Sequence, residues 1–157
     1  MLMLYVADLF LIGKEELFKY ARRTLPTEFK MKYLGIMHYF LGMDVWKNES
    51  EILLGQGKYA VEILKKFGIL DRKAITTPMA SNLKLLCDAS LETVDATMYH
   101  QMIYSLMFLT NTRPDICFVV NNLNQFLADL RHAHLNAKDA VRYLKGTVEY
   151  GLKYDTD

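Results

Sequence analysis

Asp8 stands between two short apolar runs, MLMLYV and LFLIG. A carboxylate at the tip of a strand–turn–strand is a rigid mount for a hard divalent cation, which takes oxygen ligands. It is also what a plain turn contains, because Asp hydrogen-bonds its own backbone there. On chemistry alone the plain turn is favoured. A second group of candidates is basic: His134, Lys138, Arg142 and Lys145 recur at spacings of four, four and three. On a helix such residues share one face, opposite Ala137, Val141 and Leu144. A stripe of that kind can follow a phosphate backbone, each contact adding salt-dependent affinity, or it can be an ordinary solvated face. His132 and His134 are two apart and point to different sides of a helix, which argues against a zinc pair. Cys87 and Cys117 have no CxxC spacing and read as thiols in a reducing compartment. Arg113 and Asp115 flank Pro114 in TRPDI, where Pro and Asp suit a helix start.

These side chains need elements to hold them. Residues 2–6 and 9–13 are too short for ordinary helices and predict a hairpin. KEELFKYARRTL sets Leu17, Phe18, Ala21 and Leu25 at helical spacing, with Pro26 as the stop. EFKMKYLG alternates Phe29, Met31 and Tyr33 with Lys30 and Lys32, which predicts a half-buried strand. HYFLGMDVWKN and EILLGQ predict a hairpin, and GKYAVEILKKFG a helix ended by Gly68. Residues 69–97 carry no sustained period and read as a functional loop or connector. Three helices follow: one over about 98–111, apolar nearly all round and so expected inside a helical cluster, one from Pro114 onward with Ile116, Val119, Val120, Leu123 and Leu127 on a stripe, and one over about 134–145; GLKY adds a short strand. Strands with one helix, then helices, predict an α+β fold in which a β-rich lobe leads into a small helical one.

The chain has 157 residues, 52% of them apolar and 24% charged, enough for one domain or two small lobes with a core. Its formal net charge of +1 rules out a global basic signature, so any nucleic-acid surface is local. No apolar run approaches the ~18 residues of a membrane span. The N-terminal stretch lacks the basic start and small-residue cleavage site of a secretory leader. An intracellular protein, cytoplasmic or nuclear, is expected.

The segment LYVADLFLIG resembles the YVDD hairpin of reverse transcriptases. LGIMHYFLGMDV, GQGKYAVEILKKFG, TTPM, SLMFLTNTRPDICFVVNNLNQF and RYLKGTVEYGLKY are similar, in the same order, to the polymerase of copia-type LTR retrotransposons. The resemblance implies a partial polymerase palm followed by a thumb-like helical lobe: residues 1–56 as the end of the palm, 57–154 as the thumb or connection, and 155–157 as a tail before an RNase H domain. It implies RNA-directed DNA polymerase chemistry on a template–primer with Mg2+ or Mn2+ in the intact protein, two metal ions serving the transfer. Asp8 matches the second hairpin carboxylate, Tyr5 the tyrosine beneath it, and Val6 the residue nearest primer and nucleotide. Around 35–45, a region that steadies the primer end, Gly35 and Gly42 would allow close backbone approach, and His38 or Tyr39 could reach phosphate.

This sequence departs from the family pattern at several positions. Ala7 stands where the family has a metal-binding Asp, and a methyl group cannot coordinate a cation. Tyr104 stands where Gly is usual and Leu130 where Pro is usual. The chain also begins just before the hairpin, without fingers or the strand bearing a third carboxylate. The resulting expectation is a catalytically inactive piece that binds metal weakly or not at all. Its partners are template–primer and the complementary polyprotein segments, with no membrane, and self-association through exposed edges is expected. The alternatives are a non-catalytic nucleic-acid-binding remnant and a folded relic without a molecular role.

Overall fold

The computed structural model describes residues 1–6, 8–79, 95–125 and 133–155, with the side chains of 133–135 outside the description. Two compact units divide at Met37 and His38. The expected α+β class holds: among the described residues there are five helices and two antiparallel sheets.

In the first unit β1 (Leu2–Tyr5) pairs with β2 (Asp8–Leu11), with Leu2 opposite Leu11 and Tyr5 opposite Asp8. The helix α1 (Glu15–Glu28) opens with Glu15 and Glu16 in its first turn, where carboxylates favour the helix dipole. It does not stop at Pro26, which lies inside its last turn. The turn survives the missing N–H because Thr27 Oγ1 donates to Thr24 O at 2.7 Å and Phe29 N to Leu25 O at 2.8 Å. The expected strand after it does not form: residues 29–38 carry neither helix nor strand, and Phe29, Met31 and Tyr33 are exposed. A period of two makes a strand only where a neighbour accepts its hydrogen bonds, and in this unit β1 and β2 pair with each other. The Arg22 guanidinium instead lies over the Tyr33 ring, 4.5 Å from its centroid.

The second unit carries the core. β3 (Tyr39–Phe40), β4 (Met43–Lys47), β5 (Glu51–Gly55) and β6 (Gly151–Asp155) form one sheet in that order. Asp155 ends β6 opposite Glu51, so it belongs to the sheet and not to a tail. α2 (Gly57–Lys66) ends in a Schellman arrangement: Gly68, at φ +64°, donates to Lys65 O at 3.1 Å, and Ile69 N donates to Leu64 O at 2.9 Å. α3 (Ala96–Leu109) is capped by Asp95, whose carboxylate accepts from Thr97 N at 2.9 Å and Met98 N at 3.3 Å. Tyr99, Met102, Ile103, Leu106 and Leu109 place α3 against the other helices as its composition predicts, although Tyr104, Met107 and Phe108 stay exposed. Pro114 starts α4 (Pro114–Gln125), whose stripe Ile116, Val119, Val120 and Leu123 is buried. α5 (Ala133–Gly146) buries Ala137, Val141 and Leu144 as expected. Residues 80–94 of the expected connector, with Cys87, and residues 126–132, with Leu127, Leu130 and His132, lie outside the described residues.

Candidate functional site

The hairpin of the first unit delivers Asp8 to an exposed position at the start of β2, across from Tyr5. Val6, in the turn, has φ +52° and is 86% exposed. A β-branched residue in the left-handed region is strained, a condition that turns at functional sites often hold. Ala7 lies outside the described residues. Among the described residues no group of three or more His, Cys, Asp or Glu could hold a metal ion. The donor set at this turn is therefore a single carboxylate, too few oxygens and too little charge for a pair of divalent ions. These residues do not fit a two-metal centre.

In the second unit His38 and Tyr39 lead into β3, both exposed. The turn to β4 is Leu41–Gly42, with φ +48° and +81°, the two positive values of a type I′ hairpin. A side chain at Gly42 would also meet the Phe108 ring at 2.9 Å. Asp44, opposite Tyr39 in β4 and only 4% exposed, accepts from Lys58 Nζ at 2.7 Å. That hydrogen bond and the carboxylate charge raise the Lys58 pKa above its ordinary 10.5. The ammonium also lies 5.4 Å from the Tyr39 ring centroid. An exposed cation is thus fixed beside an exposed aromatic ring, an arrangement suited to phosphate with a neighbouring base or sugar. Lys58 is missing from the sequence-based candidates because its spacing is that of any helix-start lysine; only its pairing to Asp44 marks it.

The basic face of α5 divides in two. Arg142 Nε donates to Lys73 O at 3.0 Å and its NH1 to Asp139 at 2.9 Å. Lys145 Nζ donates to Leu70 O at 2.6 Å and to Arg72 O at 2.7 Å. These two residues therefore fasten the segment after α2 and do not form the free stripe their spacing predicts. The physical reason is that this segment returns over α5 with carbonyls that have no strand or helix to bond. Lys138 is half-buried, and its side chain has no hydrogen-bond or ion-pair partner among the described residues. His134 lies in α5, its side chain outside the description.

Arg113 has the structural role expected of a helix start, and does more than cap. It is 2% exposed, with Nε and NH2 paired to both Asp115 oxygens at 2.9 and 2.7 Å. NH1 donates to Thr147 O at 2.8 Å and NH2 to Thr147 Oγ1 at 2.7 Å, while Tyr143 Oη donates to Asp115 at 2.9 Å. Burial pushes the Asp115 carboxyl up, but Arg113 and the Tyr143 hydroxyl outweigh it, so its pKa lies below the ordinary 3.8. Cys117 is a free thiol whose Sγ lies 3.9 Å from Arg113 O.

Residues 1–81 match the family described as reverse transcriptase (RNA-dependent DNA polymerase). The retrovirus-related Pol polyprotein from transposon RE2 of Arabidopsis thaliana is 33% identical over 96% of this chain, which spans 10% of it. That of transposon TNT 1-94 of Nicotiana tabacum is 33% identical over 93% of this chain, which spans 12% of it. An uncharacterized mitochondrial protein of Arabidopsis thaliana is 37% identical over 96% of this chain, which spans 63% of it. No solved structure matches significantly. The chain belongs to the reverse transcriptase family, of the copia type found in plant transposons. It spans about a tenth of the length of the Pol polyproteins it matches. Among the described residues no helix is long and apolar enough to cross a membrane.

Proposed function

We propose that this chain is a nucleic-acid-holding piece of a copia-type reverse transcriptase and does not itself polymerise. The observation that carries the reading is the hairpin with its single carboxylate: Asp8 is exposed at the turn, and the sequence puts Ala7 beside it. In the intact family protein, RNA-directed DNA synthesis draws on divalent metal ions, and Mg2+ or Mn2+ would be held by more carboxylates than this turn offers. Residues 1–56 then serve as the end of a palm and 57–154 as a thumb-like region. A template–primer is the partner, met by His38, Tyr39 and Lys58 near the Leu41–Gly42 turn and by the α5 face at His134 and Lys138. The exposed Tyr39 ring with Lys58 above it supports that contact.

A primer-extension assay in Mg2+ and in Mn2+ tests the catalytic half of the reading: no template-dependent incorporation is expected, and measurable extension overturns it. Titrating a template–primer duplex at two salt concentrations tests the binding half. Lys58→Ala is expected to weaken binding and reduce the log–log salt slope by about one. An unchanged slope removes the hairpin from the interface.

A further inference from the structure

We propose that the cleft between the C-terminal end of α2 and α5 binds a nucleoside phosphate, its base on an apolar floor and its phosphate at a rim of Arg72, Lys73 and Lys138. This deepens the nucleic-acid reading above and takes its biological sense from it. The cavity measures about 680 Å³, within the ~300–1,000 Å³ common for small-molecule sites. Its floor is Phe67, Ile69 and Met98. Phe67 and Ile69 are buried members of the core, so the floor is rigid.

The rim is cationic for a structural reason. Arg142 and Lys145 consume the carbonyls of Leu70, Arg72 and Lys73. The backbone oxygens that would repel an anion are therefore already bonded. Asp139, the acid on the lining, is neutralised by Arg142 at 2.9 Å. The side chains of Arg72, Lys73 and Lys138 have no hydrogen-bond or ion-pair partner among the described residues. Three such cations beside an apolar surface suit a ligand with a compact, multiply charged end and a flat apolar body. A nucleoside phosphate has that shape. An acidic peptide spreads its charge along a strand and leaves the apolar floor unfilled.

Adenosine 5′-monophosphate, adenosine, inorganic phosphate, polyglutamate and a short 5′-phosphorylated oligonucleotide, each titrated into the full chain, test this by methyl NMR. The monophosphate is expected to bind more tightly than adenosine or phosphate and to shift the Ile69 and Met98 methyl signals. Arg72→Ala and Lys138→Ala are each expected to weaken it about tenfold, while Arg72→Lys and Lys138→Arg retain most of the affinity. Tighter binding of the oligonucleotide would identify a strand end as the source, and equal or weaker binding a free nucleotide. The proposal is overturned if the monophosphate binds no better than phosphate, if the shifts fall elsewhere, if both Ala variants bind unchanged, or if polyglutamate displaces it equally well. The wild-type shift map does not depend on any variant folding. Monophosphate binding without duplex binding would sink the template–primer reading and leave the cleft standing. Duplex binding with silent Ile69 and Met98 signals would do the reverse.

Discussion

Arg113 shows how one side chain can join distant parts of a fold. Its guanidinium is out of water and each nitrogen is bonded, to Asp115 or to Thr147. Cutting it to Ala would strand Asp115 and the Thr147 carbonyl, at a cost of about 3 kcal/mol for a broken buried pair. Arg113→Lys should cost nearly as much, because an ammonium cannot span both carboxylate oxygens and Thr147 together. Urea unfolding midpoints would show it; a midpoint unchanged by Arg113→Ala would mean the network contributes nothing net. The same site predicts a pH dependence. The folded Asp115 pKa lies below the ordinary 3.8, so its stabilisation is complete above that value and is lost as pH falls through the folded pKa. The midpoint should therefore fall as pH drops below about 4, and Asp115→Asn should flatten that part of the profile. TRPDI made the helix start legible; Thr147 and Tyr143, the residues that make Arg113 buriable, could not be read from it.

At the scale of elements, the β3–β4 turn keeps a residue poorly suited to its backbone. Leu41 at φ +48° pays the left-handed penalty of roughly 1 kcal/mol that Asn or Gly would avoid. Leu41→Asn should raise stability by about 0.5–1 kcal/mol, measurable as a higher urea midpoint with unchanged slope. Gly42→Ala should lower it, because the new methyl meets both a positive φ and the Phe108 ring. A stabilising Gly42→Ala would contradict this turn geometry. The elements whose signals lie within one or two turns were legible: the β1–β2 hairpin, the Gly68 terminator and the stripes of α4 and α5. The segment EFKMKYLG was not, because its alternation is a statement about faces and says nothing of whether a partner strand is there.

For the whole molecule, the two units differ in how much they bury. Among the described residues of the first unit, Ala21 alone is buried. Leu2, Leu4, Tyr5, Val6, Phe29, Leu34 and Ile36 are exposed. Apolar area on this scale, beside a sheet that has two strands among the described residues, favours association. Sedimentation velocity should show mass growing with concentration, and Leu2→Lys combined with Leu4→Lys should shift it toward monomer. A concentration-independent monomer would count against this. The second unit, with its core of α2–α5, is expected to supply the cooperative unfolding.

The sequence by itself determined the family, the α+β class, the altered hairpin at Ala7 and Asp8, and the buried faces of α4 and α5, because each is written in neighbouring residues. Only the tertiary structure decided that β6 closes the sheet against β5, that Lys58 stands over Tyr39, and that Arg142 and Lys145 hold a loop while Lys138 joins Arg72 and Lys73. Arg142 and Lys73 are 69 positions apart and Lys145 and Leu70 are 75 apart. No periodicity reaches across such distances. What brings those groups together is the burial of the helices' apolar faces, which sets where the polar edges come to lie.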